Sequence, residues 1–196
     1  RLHAKDSPLQ QLCTSLLERQ RWIQFRFRDE RAERNDALHG LAALGPDARG
    51  AIPDIAKLLD QKSEGSFAAY VLHLIGPSAV PALLAGLTNS IPDTQRSAAG
   101  LLGLARTEGA VPDLLRMLKD SDFLTKSTAA RVLSRFPEQA DLIVPALMDC
   151  LDDSDSTFRS NAARALVEFG DNAWPAIPKL LKMVESTDYH VSTTAA

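Results

Sequence analysis

Apolar residues return every third or fourth position along most of this chain, in short stretches broken by Gly, Pro and Asp. Ala68, Val71, Leu72 and Ile75, with Phe67 beside them, keep the spacing i, i+3, i+4, i+7, and Ala129, Val132, Leu133 and Phe136 repeat it. That spacing puts the apolar side chains on one face of an α-helix. A turn is predicted after each, at Leu44-Gly45-Pro46, Ile75-Gly76-Pro77 and Phe169-Gly170-Asp171. Glycine suits the left-handed position that ends a helix, and proline just beyond cannot continue it. A second leucine-rich helix follows, as Leu83, Leu84, Leu87, then Leu114, Leu115, Leu118, then Leu180, Leu181, Val184. A proline is expected in its first turn, where the missing N–H costs nothing. Asp60, Asp120 and Asp152-Asp153 close these second helices and are expected to cap the next one. The only alternation of strand type, Ile23 to Arg28, reads as an extended lead-in or a short helix.

The two-helix pattern repeats. The second-helix proline stands at Pro53, Pro81, Pro112, Pro145 and Pro178, at intervals of 28, 31, 33 and 33. An Ala-Ala pair on the first helix begins at Ala68, Ala98, Ala129, Ala162 and Ala195, at intervals of 30, 31, 33 and 33. Two independent markers with one step mean a structural repeat. The units fall at residues 37–63, 64–92, 93–122, 123–155 and 156–187. Residues 1–36 form a partial unit and an Arg/aromatic lead-in, with a helix over 8–19 that has Pro8 in its first turn; residues 188–196 begin a further unit. Both ends interrupt the pattern, so a fragment of a longer array is expected. The architecture expected over 1–196 is a single all-α, right-handed α-solenoid of about five helix pairs with partial repeats at both ends. Each unit buries its apolar face only against its neighbours.

A helix pair of about 30 residues, with Ala-Ala on the first helix, a Gly-Pro or Gly-Asp turn and Ile-Pro or Val-Pro before the second, resembles a HEAT repeat, an armadillo-like module. The segments that carry the likeness are Ala37 to Asp60, Phe67 to Asn89, Arg96 to Asp120, Lys126 to Asp153 and Arg159 to Glu185. The short units are similar to the bacterial type also found in phycobilin lyase-like proteins, and Ala4 to Leu9 with Arg19 to Ile23 resembles the start of bacterial HEAT-repeat proteins. In that family an acidic turn precedes an Arg on the first helix and pairs with it. Asp152 to Ala163 matches this best, through Arg159, but Lys126 and Gln95 stand at that position in the fourth and third units. A continuous ladder of such pairs is therefore not expected.

Composition narrows the function classes. Hydrophobic residues make up 45% and charged residues 24%, which fits a folded chain rather than a disordered one. No stretch of 18 apolar residues occurs, so no membrane span is expected. Lys and Arg total 22 against 25 Asp and Glu. Residues 1–36 hold 8 basic and 6 acidic residues, and residues 37–196 hold 14 and 19. A nucleic-acid partner is disfavoured, because phosphate contacts come from Lys and Arg. Compartment and oligomeric state are not legible.

Candidate chemistry is sparse. His3, His39, His73 and His190 form no metal-binding motif, and the His-Glu dipeptides of HEAT-type di-iron hydroxylases are absent. No metal or cofactor is expected. Cys150 shares its register with Leu58, Gly86, Met117 and Met183, so it reads as an inward, inert thiol, as does Cys13 on its leucine-spaced helix. Asp149, Asp152, Asp153 and Asp155 fail the EF-hand pattern, with Phe158 and Arg164 where Gly and Glu are required, and read instead as an acidic capping turn. Gly100 and Gly103, inside a helix, are expected to serve close packing. Arg19, Arg21, Arg26, Arg28, Arg31 and Arg34 interleave with Trp22, Phe25 and Phe27, a base-stacking combination. Nearby Glu18, Asp29, Glu30 and Glu33 nearly cancel its charge, so a solvated helix is the better reading.

The resemblance implies that second helices line an inner, concave surface. By periodicity their outward positions are Asp54, Lys57, Ala82, Ala85, Asp113, Arg116, Ala146, Asp149, Lys179 and Lys182, a surface of mixed charge. Such a surface suits a protein or peptide better than a polyanion. The expected function is a non-catalytic protein-interaction scaffold. A bilin lyase-like or accessory enzyme role, and a HEAT-fold DNA-binding or glycosylase-like module, are the alternatives the resemblance allows.

Overall fold

A computed structural model describes residues 44–120 and 122–184. Among these the chain is helical and contains no strand. It divides into two compact units, one ending at Leu101 and one beginning at Leu102.

In the first unit, a 3-10 turn at Gly45–Ala51 leads into α1 (Ile52–Lys57); then come α2 (Gly65–Ile75), a 3-10 turn at Pro77–Ala79, α3 (Val80–Gly86) and most of α4 (Pro92–Leu104). α2 packs against both α1 and α3. Ile55, Leu72, Ile75, Leu83 and Leu87 are fully buried between them. Each such side chain contributes about 1.5–3 kcal/mol by leaving water. The second unit continues with α5 (Val111–Met117), α6 (Phe123–Leu133), α7 (Ala140–Cys150), α8 (Ser156–Val167), a 3-10 turn at Gly170–Ala176 and α9 (Ile177–Val184). There α6 lies between α5 and α8, and α8 also packs on α7. Leu114, Val132, Leu133, Phe136, Ile143, Leu147, Phe158 and Leu166 form its core.

The described Ala-Ala pairs, Ala68-Ala69, Ala98-Ala99, Ala129-Ala130 and Ala162-Ala163, are all 0% exposed. Small side chains at these positions admit the neighbouring helix closely. The glycine turns behave as expected, with positive φ at Gly45, Gly76 and Gly170. In the third repeat the left-handed place is taken instead by Arg106, at φ 50°. There the Thr107 N–H reaches back to the Leu102 carbonyl (2.9 Å), and the Arg106 guanidinium donates to the Arg135 carbonyl (3.2 Å). Those two bonds offset the cost of a Cβ in that region.

Pro53, Pro81 and Pro112 sit in the first turn of α1, α3 and α5. Pro145 does not: α7 begins at Ala140, which places this proline inside the helix. Its ring faces solvent, and the Asp141 carbonyl that loses its donor lies on an exposed residue, so water can satisfy it. The acidic turn caps α8 as expected, through its Asp155, whereas Asp120 and Asp153 stand two residues before the caps. Asp120 and Asp153 accept the N–H two residues on, at Asp122 (2.8 Å) and Asp155 (2.9 Å), in Asx turns. Asp122 and Asp155 are the caps, accepting from Thr125 N–H and Phe158 N–H, each at 2.8 Å. Asp60 caps nothing and accepts instead from the Asn89 amide at 2.8 Å.

Two packing expectations also change. A Cβ on Gly103 would lie 2.5 Å from Val132 Cγ1, so this glycine does serve close packing, whereas one on Gly100 would meet nothing within 4 Å. On α9 the buried residue is Met183, while Leu181 is 58% and Val184 38% exposed. The positions in register with Val184, Leu118 and Leu151, are buried. Beyond Val184 the chain lies outside the described residues, as do the partial units at 1–36 and 188–196, the Arg/aromatic run, Cys13, His3, His39 and His190.

Candidate partner-binding groove

In the second unit a groove of about 610 Å³ opens between the last turns of α5 and α7 and the start of α8. Leu115, Leu118, Ala146 and Phe158 form its apolar part; Arg116, Lys119, Asp149, Asp152 and Asp153 surround it, and Cys150 lies against it. The Asx turn and cap at Asp153 and Asp155 aim the first turn of α8 inward, which buries Phe158 completely.

Cations outside the lining hold the groove's Asp152 and Asp153 and the turn that carries them. Lys126 Nζ donates to both Asp153 oxygens at 2.9 and 2.8 Å and sits 4.4 Å from the Phe158 ring centre, a cation over an aromatic face. Arg159 donates to the carbonyls of Asp153 (2.8 Å) and Ser154 (3.1 Å). Lys179 joins the Met148 carbonyl (3.1 Å) to the Asp152 carboxylate (2.7 Å). Gln95, at the same register in the first unit, donates to the Leu87 carbonyl at 2.9 Å. Three different donors at one register therefore each tie a first helix to an adjacent turn, in place of a uniform arginine ladder.

Titration follows these contacts. Burial alone would raise Asp153, but the Lys126 bond, the Asp155 N–H and the charge of Arg159 hold it below the ordinary 3.8. The Lys179 bond lowers Asp152. Burial, with the nearby Asp153 and Asp149 carboxylates, pushes the Cys150 thiol up to about 11, so it carries no thiolate at neutral pH. Its Sγ–H donates to the Ala146 carbonyl at 3.2 Å. Leu58, Gly86, Met117 and Met183, its register mates, are buried as well.

The surface positions named from periodicity are exposed or half-buried, all on second helices. Arg116, Ala146 and Asp149 meet in the groove. Lys179 and Lys182 stand on α9, outside it, and Asp113 on α5 pairs with Arg116 at 2.9 Å. In the first unit, Asp54 pairs with Lys57 at 2.9 Å on α1, and Ala82 and Ala85 lie on α3. Both aspartates thus pair with a cation one turn along. Among the described residues Lys119 and Asp149 have no ion-pair partner, and these are the free charges of the groove. Periodicity missed Lys119 and Leu115, which flank the outward-pointing Arg116. Among the described residues no group of three metal-ligating side chains occurs, and no helix is long and apolar enough to cross a membrane.

Residues 80–144 match the family model described as HEAT repeats, and residues 143–173 match that described as HEAT repeat. No curated protein matches the chain significantly. Among solved structures, an engineered protein is similar at 24% identity and a TM-score of 0.57, covering 97% of this chain and 94% of its own. A designed armadillo repeat protein in complex with the peptide (KR)4 is similar at 18% identity and a TM-score of 0.59, covering 96% and 97%. Computationally designed armadillo repeat proteins for modular peptide recognition are similar at 18% and 0.57, covering 95% and 96%. At these identities the likeness is one of fold: an all-α repeat solenoid.

Proposed function

Residues 80–173 of this chain are HEAT repeats, and from that premise we propose that the protein is a non-catalytic scaffold that binds a protein or peptide partner on its second helices. HEAT and armadillo-like repeats commonly mediate such binding, and the fold is typical of non-catalytic scaffolds. The observation that carries the reading is the α5–α7 groove, whose lining joins apolar Leu115 and Ala146 with two unpaired charges of opposite sign, Lys119 and Asp149. An extended peptide with one apolar residue flanked by an acidic and a basic one would complement it. Desolvated apolar contacts supply affinity, and the two rim charges supply register and on-rate. Lys57, Asp54, Ala82 and Ala85 in the first unit, with Asp113, Arg116, Ala146, Lys179 and Lys182 in the second, are the further contact positions. The designed armadillo neighbour solved with (KR)4 shows a basic peptide on a related fold, and Asp149 is the acceptor here for such a residue.

A displayed peptide library panned against the full chain tests this, with the enriched peptides remeasured by fluorescence anisotropy. Exchange of the groove charges, Lys119→Glu with Asp149→Lys, is expected to weaken binding about tenfold or more, since each unit-charge contact is worth roughly 0.5–1 kcal/mol at a rim. Charge reversal at Lys57, Arg116 and Lys182 weakens it further while the helical circular dichroism persists. Binders that tolerate all these changes, or a library that yields none, would overturn the proposal.

A further inference from the structure

On the other side of the second unit, first helices α6 and α8 pack side by side and leave a cleft of about 380 Å³. Arg131 and Arg164 line it from equivalent positions, each just after an Ala-Ala pair. Both are exposed, and neither has a carboxylate at ion-pair distance among the described residues. This separates them from Arg96, Arg116, Lys126 and Lys179, all of which are paired with aspartates. One turn before the two arginines the Asn161 amide donates to Ser127 Oγ at 3.3 Å, which ties the helices together with the Ser127 hydroxyl in the cleft lining. Packed helix axes lie about 8–10 Å apart, within the reach of two guanidinium groups closing on one anion.

We propose that this cleft binds a phosphorylated segment of a partner protein, with Arg131 and Arg164 forking onto one phosphate monoester and Ser127 donating to it. Two planar guanidiniums match a phosphate bidentately, and a monoester carries a charge of about −1.5 to −2 at pH 7. A peptide fits better than nucleic acid or a lipid surface for two reasons. Leu124, 56% exposed at the same cleft, offers an apolar contact for a residue beside the phosphate. Glu168, one turn beyond Arg164, also lines the cleft and repels a continuous polyanion more than a single phosphate. The site is independent of the α5–α7 groove, and its failure leaves that reading untouched.

The test uses the full chain and a fluorescein-labelled nonapeptide pool with a central phosphoserine next to a fixed leucine, against the same pool with serine. Anisotropy titrations are expected to show the phosphorylated pool binding at least about tenfold more tightly, with inorganic phosphate competing. Arg131→Gln with Arg164→Gln abolishes the difference, Arg131→Lys with Arg164→Lys restores part of it, and Glu168→Gln tightens binding. Equal binding of the two pools overturns the proposal, as does a phosphate preference that survives loss of both arginines. Single-stranded DNA or phosphoinositide vesicles binding more tightly through the same two arginines would overturn the choice of a phosphopeptide. Circular dichroism checks each variant's fold; should the glutamine pair unfold, the lysine pair decides, and an unchanged preference there counts against the proposal.

Discussion

Gly100 and Gly103 lie one turn apart on α4, and the same substitution should act on them with opposite sign. Glycine in a helix interior costs roughly 0.5–1 kcal/mol relative to alanine. At Gly100 a new Cβ meets nothing within 4 Å, so Gly100→Ala should recover that amount in full. At Gly103 the Cβ would stand 2.5 Å from Val132 Cγ1 and 3.5 Å from its Cβ. Val132 is 0% exposed, and its β-branched side chain has essentially one χ1 rotamer in a helix, so it cannot swing aside. Moving α6 away is the remaining relief, and overpacking of this kind costs about 1–3 kcal/mol. Against the propensity gain, Gly103→Ala should lose about 0.5–2 kcal/mol. The two variants then differ by roughly 1–3 kcal/mol, and with a urea m-value of about 1–3 kcal/mol/M their midpoints separate by around 1 M. Unfolding is followed by far-ultraviolet circular dichroism. Because repeat arrays need not unfold in one step, hydrogen exchange of the α4 and α6 amides locates the effect. If Gly103→Ala matched Gly100→Ala in stability, the close approach of α4 to α6 at Val132 would be wrong.

Thr94 and Thr125 share a register and are both 0% exposed, but the Thr94 hydroxyl has no partner while Thr125 Oγ1 donates to Asp122 at 2.7 Å. Thr94→Val should therefore stabilise by about 1 kcal/mol and Thr125→Val destabilise by about 1.5–3 kcal/mol in the same urea assay, and a shared direction would refute the assignment of the bonds. Asp152 and Asp153 have folded-state pKa values below 3.8, so they contribute stability that is fully present above that value and is lost as pH falls through their lowered values. Acid titration of Asp153→Asn should show a shallower loss of stability below about pH 4 than the parent chain; an unchanged slope would show that the Lys126–Asp153 contact does not persist in solution.

Much of this molecule was legible in one dimension. The helices, the buried Ala-Ala pairs and the glycine turns follow from the order of residues within a few positions, because an α-helix is set by near neighbours and a left-handed turn by a missing Cβ. The inward register of Cys150 followed from the same periodicity. Where a side chain could choose among distant partners, the order of residues was silent. Lys126 and Asp153 are 27 residues apart, as are Lys179 and Asp152, and only the packing of helices brings each pair together. Periodicity likewise named Arg116, Ala146 and Asp149 as outward-facing but missed Lys119, and it did not show that Lys57 and Arg116 pair with Asp54 and Asp113. Gly100 and Gly103 looked alike, and what distinguishes them is whether another helix passes within a methyl group's width. Periodicity decides which face of each helix is buried; which groups meet across that face depends on the distance and angle between helices, and those exist only once the core has packed.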